Sequence, residues 1–264
     1  MVAPTSLIPI HDENPTHTFS IITVALIAIN VAVFFLLEPN FGQQASCGPG
    51  EVACQTENCR TVQFFYKWGV VPAEITQGEP FAEQVCNGVF LEEKSLLASI
   101  FTSMFLHGGF FHLAGNMLFL WVFGNNIEDR LGKVKFVAFY LAVGVAGTVA
   151  HVWFNADSAI PTVGASGAIS GLLGAYAVLF PRAVIHTVVP IPILFFIFGR
   201  IRLPAMVVLG MWFIGQFFIG QGQSADEGGG VAWVAHVGGF VAGMALIWLF
   251  GGHRRRPKSK TGFA

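Results

Sequence analysis

The amino-acid sequence predicts an all-α membrane protein whose core is a bundle of six transmembrane helices. Apolar residues make up 54% of the 264 positions and charged residues only 11%, whereas soluble domains carry about 25% charged residues. Six apolar runs approach the ~20 residues that a helix needs to cross a bilayer, and none alternates in the manner of a barrel strand. The runs cover residues 19–37, 97–123, 134–154, 166–181, 203–220 and 231–250.

The flanks of the first run, residues 19–37, indicate a spanning helix rather than a cleaved signal peptide. No lysine or arginine precedes the run, and no small-residue cleavage site follows Leu37, although both features mark signal peptides. The basic residues then predict the orientation, because cytoplasmic loops are enriched in lysine and arginine. With both termini in the cytoplasm, all of the 14 basic residues except Arg60, Lys67 and Lys94 lie inside.

We expect one membrane domain, residues 19–251, between a short cytoplasmic arm (1–18) and a basic cytoplasmic tail (252–264). The tail is expected to lie next to anionic lipid rather than nucleic acid. The outer segment 38–96 mixes aromatic and polar residues, which suggests a structured loop partly on the membrane surface. The apolar segment 182–202 contains prolines and is bracketed by arginines, so we expect an interfacial loop rather than a seventh span.

All four cysteines, Cys47, Cys54, Cys59 and Cys86, lie in the outer segment. An even number of cysteines on the oxidising side of a membrane predicts one or two disulfides, whose pairing the sequence leaves open. A zinc site is the alternative. It is disfavoured because the spacing contains no Cys-x-x-Cys pair and no nearby histidine.

Polar and ionisable residues at membrane depth are candidates for function because burying them in lipid is costly. The candidates are His107, His112, Asn116, His151, Ser166, Ser170 and His236. Ser166 and His236 each lie fifteen residues before the inner end of their span, taken at Pro181 and Gly251. At 1.5 Å per residue this distance is about 22 Å. We therefore expect the serine and the histidine to lie at the same level.

Small residues predict that the fourth and sixth spans pack closely. They recur every four residues as Gly167, Gly171 and Ala175 on one span and as Ala235, Gly239 and Gly243 on the other. Such spacing lets two membrane helices approach until their backbones nearly touch. Ser166 precedes the first stripe and His236 follows the first residue of the second. The packing therefore favours a hydrogen bond between the serine and the histidine.

A serine next to a neutral histidine is the arrangement that nucleophilic catalysis requires, because imidazole activates the weakly nucleophilic hydroxyl. The free backbone N–H of Ser166 at a helix start, with the side chains of His112 and Asn116, would form an oxyanion hole. No carboxylate lies at this depth, so we expect a Ser–His dyad. Competing interpretations are helix capping by Ser166 and interhelical polar packing by His112 and Asn116.

Two further candidates are interpreted as structural. Ser170 lies one turn inside its helix, where a hydroxyl commonly bonds back to a carbonyl. His151 is expected to be an outer-surface histidine at a helix C-terminus rather than a participant in chemistry.

Three stretches, HGGFFHLAGNMLFLWVFGNNIEDRLG, GASGAISGLLGAY and AHVGGFVAG, resemble the rhomboid intramembrane serine proteases in their order and in lying on separate spans. The resemblance implies a six-transmembrane-helix rhomboid bundle with Ser166 as nucleophile and His236 as general base. It also implies an oxyanion hole formed by His112, Asn116 and the Ser166 backbone. His107, Gly164, Gly167, Ala235 and Gly239 would support the site, and Glu128 and Arg130 would be structural.

The chain departs from the rhomboid pattern in two places. Ser170 stands where many members carry an aromatic residue that stacks on the catalytic histidine, so the group that orients His236 is left open. The Trp-Arg pair of the family's membrane-inserted lateral loop has no clear equivalent in the cysteine-rich outer segment.

The resemblance implies an endopeptidase that cleaves transmembrane segments of other membrane proteins, without a metal or organic cofactor and without a nucleic-acid partner. We expect an integral protein of a bacterial plasma membrane. One alternative is a non-catalytic rhomboid-like protein that binds transmembrane clients. The other is a transporter, which the absence of an inverted repeat disfavours.

Overall fold

The computed structural model describes residues 8–39, 52–80, 94–190, 198–221 and 232–251. The described chain is mostly helical. Its helices are α1 Ile21–Leu36, α2 Val52–Trp68, α3 Pro72–Gln77, α4 Leu96–Thr102, α5 Phe110–Phe119, α6 Asn125–Leu131, α7 Lys133–Phe154, α8 Ser166–Leu179, α9 Ala205–Gln221 and α10 Trp233–Leu249. The expected disulfides lie outside the described part, because none of the four cysteine side chains belongs to it.

A small sheet corrects the prediction of an all-α fold. The strands β1 Ile8–Asp12, β2 Val184–Pro190 and β3 Phe198–Pro204 form an antiparallel sheet in the order β1-β2-β3. The segment 182–202, expected to be an interfacial loop, therefore contributes to the antiparallel strands β2 and β3. Along β2 the buried side chains of Ile185 and Thr187 alternate with more exposed neighbours, which is the period of a strand with one covered face.

The N-terminal arm is anchored to the helical bundle through Asp12. Its carboxylate accepts hydrogen bonds from the Tyr176 hydroxyl at 2.6 Å and from the Asn126 side-chain amide at 2.7 Å. The neighbouring Glu13 forms ion pairs with His186 and Arg202 at the surface. The arm is therefore a structural part of the fold rather than a free polar extension.

The second predicted span, residues 97–123, is not one straight helix. Helix α4 and a short 3₁₀ turn, Ser103–Phe105, precede a break at residues 106–109, and the chain bends there by 81° before α5 begins. The break coincides with Gly108 and Gly109, which lower helix stability because glycine loses the most backbone entropy on folding. A π-helical turn, Leu120–Gly124, then joins α5 to α6.

One described helix, α7, is long and apolar enough to cross a bilayer alone, and the bent α4–α6 unit passes the same test as a pair. Helices α1, α8, α9 and α10 are shorter apolar helices. Large side chains such as Phe111, Trp153 and Leu249 are at least 80% exposed. Apolar surface of this extent is typical of contact with lipid.

Helix α8 occupies the centre of the bundle. All ten residues from Ala168 to Ala177 are buried, as expected of a helix that is apolar on every side. At the end of the bundle where α1 begins, Glu128 is 1% exposed and accepts hydrogen bonds from the backbone N–H groups of Ile22 and Thr23. Glu128 therefore caps α1, whose N-cap residue Ser20 makes no side-chain capping bond.

On the opposite side, the outer segment is tied to the loop that leads into α8. Val70 and Thr162 exchange two backbone hydrogen bonds, at 3.1 and 2.7 Å. Nearby, Lys94 and Glu74 form an ion pair whose side chains are 1% and 0% exposed. Burial lowers the pKa of Lys94, while Glu74 counteracts this effect. These contacts hold the entry to α8 against the outer segment.

Candidate active site

Ser166 is the first residue of α8 and follows the buried Ala165. Its backbone N–H belongs to the first turn of the helix, where amides lack intrahelical acceptors. The hydroxyl of Ser170 donates to the Ser166 carbonyl at 2.6 Å, which confirms the predicted back-bond. Ser166 and Ser170 are therefore not equivalent, because the Ser170 hydroxyl is committed to the backbone.

Helices α8 and α10 meet along their stripes of small residues, as the sequence predicts. A Cβ added to Gly239 would overlap the carbonyl oxygen of Gly167, and one added to Gly243 would overlap that of Gly171. Helix α7 joins the same contact, because a Cβ at Gly147 would stand 2.8 Å from the Ala235 carbonyl oxygen. Only residues without a side chain permit this approach.

His236 follows Ala235 on α10 and is 8% exposed. Its Nδ1 lies 2.7 Å from the side-chain oxygen of Gln216 on α9, and Gln216 is itself buried. Sequence reasoning missed Gln216. The signal was present, since a lone amide within the apolar stretch AMVVLGMWFIGQ is a polar group at membrane depth.

Gly164 lies between His112 and Ser166 in the loop before α8. A Cβ at this position would stand 2.9 Å from Nε2 of His112 and 3.4 Å from the Ser166 hydroxyl oxygen. The backbone of Gly164 has φ +132°, a conformation that residues with a side chain rarely adopt. Glycine is therefore required here, and the His112 imidazole and the Ser166 hydroxyl both lie within 3.4 Å of the position that its Cβ would take.

Asn116 and His107 lie near His112 on the second span. The Asn116 amide donates one hydrogen bond to the His112 carbonyl at 2.9 Å, which leaves its second N–H available because a primary amide carries two. The His107 ring packs edge-on against the His112 ring, with 5.2 Å between centroids. The three residues form one polar group beside the start of α8.

Glu38, at the end of α1, fixes this polar group from the outer side. Its carboxylate accepts a hydrogen bond from the His107 backbone N–H at 2.8 Å. Burial raises the pKa of Glu38 to about 7, although the hydrogen bond opposes this shift.

A small cavity of about 30 Å³ lies beside Ser166. Its polar lining comes from Ser103, Thr148, His151 and Thr162, and this volume suffices for one or two water molecules. His151 does lie in the last turn of α7, as predicted. His151 is half-buried, its Nε2 is hydrogen-bonded to the Thr162 hydroxyl at 2.9 Å, and it lines this cavity, so its surroundings are more specific than those of a plain surface histidine.

Two observations concern the contacts and ligand groups of the described site. No direct hydrogen bond joins Ser166 to His236 within the described ranges, and catalytic hydrogen bonds often tighten only when substrate is bound. Across the same ranges, no three histidine, cysteine, aspartate or glutamate residues form a group that could hold a metal ion. The described residues of the site offer a hydroxyl, four imidazoles and amide donors.

These features define a helical membrane protein with a partly buried serine, histidines and amides at the junction of α5, α8 and α10. Residues 94–253 match the family model of the Rhomboid domain. The chain therefore belongs to the Rhomboid family.

Three relatives illustrate the similarity. Rhomboid protein 1, mitochondrial, from Saccharomyces cerevisiae is 35% identical over 156 residues, which cover 57% of this chain and 41% of the yeast protein. Rhomboid protease GluP from Bacillus subtilis is 43% identical over 89 residues, or 32% of this chain and 17% of GluP. The human presenilin-associated rhomboid-like protein, mitochondrial, is 33% identical over 159 residues, or 59% and 40% of the two chains. The matched region spans less than half of each relative.

Proposed function

We infer that this protein is an intramembrane serine endopeptidase that cleaves transmembrane segments of other membrane proteins, with Ser166 as nucleophile and His236 as general base. The observation that supports this proposal most is the backbone contact of α8 and α10 at Gly167 and Gly239. Ser166 and His236 flank that contact. A relative that is named a protease, GluP, supports the same class of activity.

The proposed reaction begins when neutral His236 removes the proton from the Ser166 hydroxyl. The serine oxygen then attacks the carbonyl carbon of the scissile peptide bond, and the protonated imidazole returns its proton to the leaving amine. Water, deprotonated by His236, next attacks the acyl-serine ester; the bond to the Ser166 oxygen breaks, the protonated imidazole returns its proton to that oxygen, and the new carboxyl terminus is released. The cavity beside Ser166 supports the second step, since its polar lining suits a water molecule.

Stabilisation of the oxyanion is assigned to the backbone N–H of Ser166 and to the side chains of His112 and Asn116. The N-terminal end of α8 adds the positive end of the helix dipole. Gly164 is required for this geometry because a side chain there would collide with His112. Donors fixed before the reaction stabilise the developing charge more than donors that must reorient.

The membrane arrangement that fits this activity has six spans, formed by α1, the bent α4–α6 unit, α7, α8, α9 and α10. We propose one membrane domain over residues 19–251, with both termini in the cytoplasm and lipid and membrane-protein substrates as partners. A bacterial plasma membrane remains the proposed location. The relatives do not decide it, since those from yeast and human are named mitochondrial and GluP comes from Bacillus subtilis.

Cleavage of a single-span substrate in reconstituted vesicles tests the proposal. The wild-type protein should cleave, Ser166→Ala and His236→Ala should not, and Ser170→Ala should retain most activity because its hydroxyl is committed to a carbonyl. A fluorophosphonate probe should label the wild type and not Ser166→Ala. Cleavage by Ser166→Ala would overturn the assignment, and a wild type inactive towards several substrates would favour a client-binding protein.

A further inference from the structure

Among the described side chains of α9, that of Gln216 is hydrogen-bonded to His236. The side-chain oxygen of Gln216 lies 2.7 Å from Nδ1 of His236. Both residues are buried, at 5% and 8% exposure. A hydrogen bond between two buried polar groups is strongly favoured, since leaving either group unpaired costs about 1–3 kcal/mol.

The backbone of α9 fixes which end of the Gln216 amide faces the histidine. The amide nitrogen of Gln216 donates to the carbonyl oxygen of Trp212 at 3.4 Å. A backbone carbonyl only accepts hydrogen bonds, so turning the amide over would set two acceptors against each other. The oxygen of Gln216 therefore faces His236.

This orientation determines the tautomer of His236. An amide oxygen only accepts hydrogen bonds, so Nδ1 of the imidazole must carry the proton. In neutral imidazole the other nitrogen, Nε2, then has a free lone pair. A lone pair at Nε2 is what a general base needs in order to take a proton from a serine hydroxyl.

Helix α9 also supplies the aromatic surface beside His236. The Trp212 ring lies 6.0 Å from the His236 ring, centroid to centroid, and is stacked on Phe240 at 6.0 Å. Trp212 and Gln216 are four residues apart and therefore lie on one face of α9. This face contacts His236, whereas the Ser170 hydroxyl is bonded within α8.

We propose that Gln216 is a positioning residue that holds His236 with Nδ1 protonated and Nε2 free to accept the proton of Ser166. This role rests on the proposed Ser166–His236 dyad. It is the part that a carboxylate plays in soluble serine hydrolases with a triad. A neutral amide suits a site at membrane depth, because an unpaired buried carboxylate would cost far more free energy than a hydrogen-bonded amide.

The test measures kcat and KM for cleavage of a single-span substrate by the full chain in vesicles, with two substitutions of Gln216. Gln216→Met keeps the length of the side chain and removes the acceptor. We expect kcat to fall about 10- to 100-fold, with little change in KM. This is the range found when residues that orient the histidines of metal sites are removed. Gln216→Glu, as the neutral acid that this depth favours, can donate its O–H to the Trp212 carbonyl and keep an acceptor oxygen for His236, so it should recover most of the lost rate.

Asn30→Leu is the matched control. Asn30 is a fully buried amide on α1 that makes the same kind of bond to the carbonyl four residues earlier, Leu26, at 2.8 Å. It tests whether loss of any buried amide slows cleavage by destabilising the fold. We expect Asn30→Leu to change thermal stability and leave kcat unchanged.

Nitrogen NMR of protein with labelled histidines reports the tautomer of His236 and does not depend on a measurement of enzymatic activity. The His236 signal, identified by its loss in His236→Ala, should report a protonated Nδ1 in the wild type and a mixture of tautomers in Gln216→Met. A proton on Nε2 in the wild type would overturn the proposal even if Gln216→Met does not fold.

The kinetic outcomes separate this proposal from the proposed function. Suppose that Gln216→Met has the wild-type kcat while Ser166→Ala and His236→Ala are inactive. This result would refute the role of Gln216 and leave the dyad standing. A loss of rate that Gln216→Glu does not recover would also count against the acceptor. Failure of the proposed function looks different, because the wild type and Ser166→Ala would then be equally inactive.

Discussion

The contact between α8 and α10 yields the sharpest prediction, through the substitution Gly239→Ala. In an unhindered helix, alanine in place of glycine stabilises by about 0.5–1 kcal/mol. Here the added Cβ would overlap the Gly167 carbonyl oxygen and stand 3.5 Å from the Gly167 Cα. The Gly167 carbonyl cannot rotate away as a side chain can, so the two helices must move apart. Overpacking of this kind costs about 1–3 kcal/mol.

The predicted loss is measured as the free energy of unfolding in mixed micelles and as the cleavage rate in vesicles. We expect Gly239→Ala to unfold about 1–3 kcal/mol more easily. The cleavage rate should fall about 100-fold, because a shift near 1 Å between reacting groups has that effect. Gly210→Ala on α9 is the control, since no heavy atom lies within 4 Å of its added Cβ. Wild-type stability and rate in Gly239→Ala would refute the described packing.

Three further predictions concern buried charges outside the spans or at their ends. Because burial raises the pKa of Glu38 from 4.5 to about 7, folding takes up a proton between these values. The free energy of unfolding should then fall by about 3 kcal/mol as the pH rises through this window, and Glu38→Gln should remove that slope; an unchanged slope would contradict the assignment. Glu128→Gln weakens the cap of α1 and should cost about 1–3 kcal/mol in chemical unfolding, whereas Asp129→Asn at the surface should stay within about 0.5 kcal/mol. Lys94→Met removes the ammonium that forms an ion pair with the buried Glu74 carboxylate and should cost about 3–5 kcal/mol, most of which the double variant with Glu74→Met should recover; independent, additive losses would show that the pair is not coupled.

Apolar run length and small-residue spacing predicted the helices well, because both are local properties of the chain. The predicted run 134–154 corresponds to α7, Lys133–Phe154, and the run 231–250 to α10, Trp233–Leu249. The sheet was missed because its strands are distant in sequence. Strand β1 pairs with β2 across more than 170 residues, as at Ile8 and Val188. No local pattern reports such a pairing.

The candidate site was predicted in part, for a similar reason. The position of Ser166 at a helix start and the hydrogen bond of Ser170 to a carbonyl follow from local rules of helix ends and back-bonding. The environment of His236 does not, because Gln216 reaches it from another helix. The contacts of His151 could not be predicted either, because its partner, Thr162, and the cavity that it lines lie across a loop.

The sequence alone determined that this chain is a helical membrane protein of the rhomboid type, because hydropathy and the Gly-Ala-Ser motifs are written in consecutive residues. It also determined that α8 and α10 pack closely, since stripes of small residues allow the backbones of two membrane helices to approach. The tertiary structure decided which groups surround the candidate dyad. Hydrogen bonds such as that of Gln216 to His236 depend on the relative rotation and height of separate helices, and packing sets these only when the whole bundle is assembled.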